Sequence, residues 1–176
     1  MQIQTAHYDL VTSWQGGMAS RPLCQSFSAD NAPPALQSHI IDSDEPVSLG
    51  GEGLAPDPQE LMLATFNACM MAAFILEARA EGLALTHLEI HTDGHLPKGI
   101  PASGDRPAED ASGRLVYVIH VRGGGTVHQF EGVHQRVIAS SLNRWLLDQN
   151  MLIEGDLTLS CRGWIVLFNR KNDMTT

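Results

Sequence analysis

Residues 61–76 read Leu-Met-Leu-Ala-Thr-Phe-Asn-Ala-Cys-Met-Met-Ala-Ala-Phe-Ile-Leu, a nearly unbroken apolar run. Its flanks carry helix punctuation. Asp57 is a natural N-cap, Pro58 suits the first helical position, and Glu60 completes a capping-box spacing. Gly82 is a natural stop. The pattern predicts a helix from Pro58 to Glu81, about 36 Å long at ~1.5 Å per residue. A helix apolar nearly all round must be buried on most sides. A chain of 176 residues can hardly surround it alone. The run therefore calls for a wrapping sheet and a second helix, or for a partner subunit. It is shorter than the ~20 residues that span a bilayer, and it carries Asn67 and ends in Glu77 and Arg79. It reads as the core helix of one cytoplasmic domain, residues 1–176.

The composition excludes several function classes. A net charge of −9, with Lys and Arg scattered singly except at Arg170-Lys171, leaves no basic patch for phosphates. Neither nucleic acid nor an anionic membrane surface is an expected partner. The N-terminal residues Met1 to His7 show no signal-peptide pattern. Cys24, Cys69 and Cys161 are an odd, sparse set with no Cys-x-x-Cys pair, which disfavours a disulfide framework or a zinc site.

Around the long helix the sequence predicts strands. Ile3–Trp14 and Pro22–Ser28 are separated by the turn signal Gln15-Gly16-Gly17, and Leu36–Ile41 follows. The glycine-rich segment from Ser48 to Pro56 lacks the Gly-Lys-Ser/Thr ending of a phosphate loop. Thr86–Leu96 alternates as a strand with one wet face, and Gly113–Gly123 is apolar on both faces, as a central strand would be. Residues 97–112 form a long connection, a mobile flap or an insertion, and 170–176 a frayed tail. Glu131–Gln149 reads as a second helix, with His134 at its surface or rim. Asp156–Asn169 reads as the last strand. The order β-β-β-α-β-β-α-β defines an α+β domain.

Two clusters invite chemistry. His87, His91 and His95 would share a face on a helix. On a strand, positions four apart lie about 13 Å apart at ~3.3 Å per residue, so they cannot share one ion. Neither a metal nor a cofactor is expected. Cys69 is the other candidate. A free thiol among apolar neighbours is inert by default, and mid-helix it gains little from the macrodipole. To act as a nucleophile it needs a cation brought by the fold, and Arg stays charged when desolvated.

The segment Leu49-Gly-Gly-Glu-Gly-Leu-Ala-Pro-Asp-Pro-Gln-Glu-Leu-Met-Leu-Ala-Thr-Phe-Asn-Ala-Cys69 resembles the glycine-loop-then-helix signature of the osmotically induced / organic hydroperoxide resistance (OsmC/Ohr) family. The element order agrees over nearly the whole chain. The resemblance implies an α+β fold with antiparallel sheets packed around a long central helix carrying Cys69. It also implies an intertwined homodimer with active sites at the subunit interface. Family members with known activity use the cysteine of this helix to attack organic or fatty-acid hydroperoxides. A second cysteine on the later helix then forms a disulfide with it, and an external dithiol reduces that bond. An N-terminal Arg and a Glu at the start of the long helix tune the first thiol.

By this resemblance Cys69 is the peroxidatic residue. Arg21, after Trp14-Gln-Gly-Gly, stabilises its thiolate, and Gln59 and Phe66 contact substrate. The second-cysteine position, three after His134, is Val137, and the Glu position is Gln59. Glu60 lies nine residues from Cys69, about half a turn out of phase at ~100° per residue. The chain resembles a one-cysteine branch, in which an external thiol, or Cys24 or Cys161, would have to resolve a sulfenate. Cys24 and Cys161 themselves read as packing residues on strands. Three functions stay open: a thiol peroxidase, a dimeric binding protein for a small apolar or lipid-like ligand, and a one-cysteine redox sensor.

Overall fold

The computed structural model describes residues 6–30, 32–96, 113–161 and 164–168, with side chains through residue 159. The expected connection at 97–112, the tail at 170–176 and the side chain of Cys161 lie outside the described residues. Contacts group the chain into Met1–Met62 and Leu63–Thr176.

In the first part, β1 (Ala6–Gly16), β2 (Ala19–Ala29) and β3 (Ala35–Ile40) form an antiparallel sheet in that order. The expected turn between β1 and β2 is present. Gly16 and Gly17 take φ of 103° and 52°, a backbone region that costs glycine little. The Trp14 indole donates to the Gly17 carbonyl at 3.0 Å.

The glycine-rich segment is folded around Asp44. This buried carboxylate accepts from the backbone N–H of Glu52 at 3.0 Å and of Leu54 at 3.2 Å. A Cβ on Gly51 would lie 1.7 Å from the Glu45 carbonyl oxygen. The glycines thus serve a tight, internally satisfied loop.

Helix α1 runs from Pro58 to Ala80, and both of its expected ends are met. Glu60 N–H donates to Asp57 Oδ1 at 2.7 Å and Asp57 N–H to Glu60 Oε2 at 2.9 Å, a complete capping box. Such a cap contributes about 1 kcal/mol. At the other end Gly82 has φ 67°, Leu83 N–H reaches the Ala78 carbonyl and Gly82 N–H that of Arg79, a Schellman closure. By length and composition α1 could cross a membrane, and only 22% of its most apolar stretch is buried. Its buried residues, Phe66, Met70, Phe74 and Ala78, recur every four positions and make one stripe.

That stripe packs in the core of the second part. β4 (Leu85–His95), β5 (Gly113–Gly123), β6 (Met151–Cys161) and β7 (Trp164–Phe168) form a sheet in that order. Here the expectation of antiparallel sheets fails at one place, because β5 and β6 are parallel. The helical stretch between them is a crossover, the connection that parallel neighbours require. The expected last strand also divides into two, β6 and β7, with β6 starting five residues early. Leu115, Tyr117, Ile119 and Val121 of β5 are buried, with Ile153, Leu157 and Leu159 of β6 opposite them. On β4 the alternation holds from Leu88 onward, with His91 and His95 exposed, while His87, next to a register shift, is half-buried.

The second helical stretch begins earlier than expected and is broken. α2 spans Val127–Ser140 behind a capping box of Thr126 and Gln129. α3 spans Leu142–Asp148, and Ser141 between them has extended backbone at φ −73°, ψ 111°. α2 packs on α1 through Phe130, whose ring stacks on Phe74 at 6.4 Å. Arg136 pairs with Glu77 at 2.7 Å and Glu81 at 2.9 Å.

Candidate active site around Cys69

Cys69 stands at the middle of α1, half-buried, with a free thiol. It lies one residue before the buried Met70, so its side chain leaves the edge of the stripe rather than its centre. The break at Ser141 brings a hydroxyl to it. Ser141 Oγ donates to Cys69 Sγ at 3.4 Å, and Ser141 is itself buried. Two residues on, Asn143 Nδ2 donates to the Thr65 carbonyl at 3.3 Å, one helical turn before the cysteine. The first turn of α3 is thereby fastened to the same face of α1. A hydroxyl aimed at sulfur supports negative charge on it.

Next to this contact lies a buried polar pair that connects β5 to α2. Tyr117 packs its ring 5.6 Å from that of Phe66 and places its hydroxyl 2.9 Å from His134 Nε2. Burial pushes the Tyr117 hydroxyl above its ordinary value, and the nearby Arg144 guanidinium pulls it the other way. The two groups share one buried hydrogen bond whose direction follows the histidine tautomer. Gly155 on β6 makes room for the Tyr117 ring, which a Cβ there would meet at 2.0 Å.

The expected site residues fare differently. Arg21 is on β2, where its Nε and a terminal nitrogen hold the two oxygens of Asp42 at 2.6 and 3.0 Å. The pair is about half exposed, raises the Arg21 value and lowers that of Asp42. Gln59 is exposed in the first turn of α1. Phe66 has no exposed surface and belongs to the core. Val137, at the expected second-cysteine position, is equally buried. His134 is buried rather than at the surface, because the Tyr117 hydroxyl satisfies its ring nitrogen. Cys24 is half-buried and free on β2.

Ser141, Tyr117 and Arg144 were not among the expected site residues. The three-residue spacing of Ser141 and Arg144 places both on one helix face, the one sequence signal that links them. Among the described residues, no group of three His, Cys, Asp or Glu side chains could hold a metal ion.

A cavity of about 490 Å³ lies within the first part of the chain. Met18, Arg21, Asp42, Asp44, Gly51 and Leu54 are among its lining residues.

No protein-family model matches the chain. No curated protein matches it either. Solved structures do match over most of its length. An OsmC-like protein from Mycoplasma pneumoniae superposes with a TM-score of 0.65 at 14% identity, covering 88% of this chain and 98% of that one. An organic hydroperoxide resistance protein OsmC from Legionella pneumophila matches with a TM-score of 0.55 at 17% identity over 88% and 98% of the two chains. An organic hydroperoxide resistance protein from Elizabethkingia anophelis matches at 0.52 and 18% identity over 90% and 99%. The chain therefore carries the α+β fold of the OsmC/Ohr proteins, as its glycine-loop-then-helix segment leads one to expect. The fold places Cys69 on α1 and the Ser141 hydroxyl against its sulfur.

Proposed function

We propose that the protein is a thiol-dependent reductase of organic hydroperoxides with Cys69 as its nucleophile. The observation that carries this reading is the half-buried Cys69 thiol held by the Ser141 hydroxyl at 3.4 Å. Its setting is a fold shared with organic hydroperoxide resistance proteins. The Cys69 thiolate attacks the distal oxygen of ROOH. The O–O bond breaks, the sulfur becomes a sulfenic acid, and RO⁻ takes a proton and leaves as ROH. A first external thiol then condenses with the sulfenic acid and releases water. A second displaces Cys69 from the mixed disulfide and leaves as the oxidised reductant. An external reductant is required because Val137 stands where the family's second cysteine would be.

The test is turnover of cumene hydroperoxide with a dithiol. Consumption that stops in Cys69→Ser supports the reading, and equal consumption by Cys69→Ser refutes it. The cavity beside Arg21 favours a second reading, a binding protein for a small apolar ligand. A lipid-like molecule that co-purifies with an oxidation-inert Cys69 would establish it.

The same reading includes a cytoplasmic homodimer. Leu76 on α1 is 65% exposed and Leu36 on β3 is 91% exposed, together with Tyr8, Leu10, Val11 and Ile40. Open apolar surface on each part of the chain is the mark of interaction, and a second copy would cover it. Light scattering at twice the mass of the chain is the expected result, and a monomer would contradict it.

A further inference from the structure

The Cys69 sulfur needs a cation if it is to react as an anion, and the residue expected to supply it is engaged elsewhere. Arg21 commits its Nε edge to a two-point contact with Asp42. In the second part of the chain another guanidinium is placed differently. Arg144 lies in the first turn of α3, three residues after Ser141 and therefore on the same helix face. Its side chain is only 16% exposed, and the carboxylate of Asp148 is 3.9 Å away, at the limit of an ion pair. Its Nε is buried with no hydrogen-bond partner among the described residues. A buried guanidinium nitrogen left without an acceptor is costly, and it marks a place where an anion would be welcome.

Neighbouring contacts bring the turn that carries Arg144 against the Cys69 stretch of α1, and its guanidinium reaches the Tyr117 hydroxyl. Ser141 touches Cys69 Sγ, Asn143 touches the turn before it, and Tyr117 bridges Phe66 and His134. Among the described residues, Asp148 is the one carboxylate paired with Arg144. Arginine suits the position because it keeps its charge when desolvated.

We propose that Arg144 supplies the fixed positive charge beside the Cys69 sulfur, supporting the thiolate and then the sulfenate. This rests on Cys69 being the reactive thiol. Arg144 is a positioning residue here, acting through the field it sets at sulfur.

The experiment compares alkylation of Cys69 in the full-length protein by neutral iodoacetamide and by anionic iodoacetate, followed at that residue by peptide mass spectrometry. The ratio of the two rates reads local charge, since both reagents attack the same thiolate. In the native protein iodoacetate should be favoured relative to free glutathione, and the preference should fade in 1 M salt. Arg144→Gln should lower the iodoacetate-to-iodoacetamide ratio roughly fivefold or more, and Arg144→Lys should restore most of it. Should Arg144→Gln fail to fold, the native salt dependence together with Arg144→Lys decides. A native ratio equal to that of glutathione overturns the proposal. So does a loss of preference that follows Arg21→Gln instead of Arg144→Gln. No hydroperoxide is involved, so a failure to reduce hydroperoxides leaves this result standing.

Discussion

Gly155→Ala is a small substitution whose sign separates two accounts of β6. An alanine in a strand ordinarily gains about 0.5–1 kcal/mol over glycine. At this position the added Cβ would lie 2.0 Å from Tyr117 Cζ, 2.3 Å from Cε1 and 2.4 Å from the hydroxyl oxygen. Normal carbon contacts are ~3.5–4.0 Å, so the ring must shift by about 1 Å or more. Tyr117 cannot do so freely, because it is 1% exposed, packed on Phe66 and bonded to His134. Overpacking of this kind costs about 1–3 kcal/mol, and losing the buried phenol–imidazole bond adds about 1–3 kcal/mol. Less the alanine gain, Gly155→Ala should destabilise the protein by about 1–5 kcal/mol. Urea unfolding at one fixed protein concentration reads this directly. In a Tyr117→Ala background the same change should cost under ~1 kcal/mol, since its obstacle is gone. A neutral or stabilised Gly155→Ala, or an equal cost in both backgrounds, would refute the argued role of Gly155.

Two further outcomes follow from the geometry. In Ser141→Cys the new sulfur would stand near the 3.4 Å that now separates Oγ from Cys69 Sγ, so mild oxidation should yield an intramolecular disulfide. Mass spectrometry finding both thiols free after oxidation would count against the observed helix break. The Asp42 carboxyl is held below its ordinary range by Arg21, so its stabilisation is present above about pH 4 and lost as pH falls through the lowered value. Asp42→Asn should flatten the urea midpoint against pH below about pH 4, and an unchanged slope would contradict the pairing.

What was legible in the sequence was governed by local chemistry. Asp57, Pro58, Glu60 and Gly82 fix the ends of α1 through contacts within a few residues. The apolar run between Gly113 and Gly123 gives β5 its bounds. Turn residues mark the β1–β2 connection. The apolar excess of α1 also signalled in advance that one chain leaves its faces open.

What escaped was set by distant partners. His134 reads as a surface residue until Tyr117, seventeen residues away, is seen to satisfy it. The break at Ser141 carries no glycine or proline. A buried contact with Cys69 and a second fastening through Asn143 hold it instead. The parallel pairing of β5 and β6 depends on which strand edge the crossover reaches, and alternation cannot report that. Arg21 looked available because Asp42 lies on the other side of β3 in sequence. Arg144 drew no notice in the sequence because its burial comes from the packing of α3.

Treating the reduced full-length protein with one equivalent of cumene hydroperoxide, with and without a sulfenic-acid trap, tests the central claim most directly. Peptide mass spectrometry should show oxidation concentrated at Cys69, captured by the trap and reversed by a dithiol. Cys24 should react far more slowly. A Cys69 that stays reduced under these conditions, or oxidises no faster than Cys24, would contradict the account.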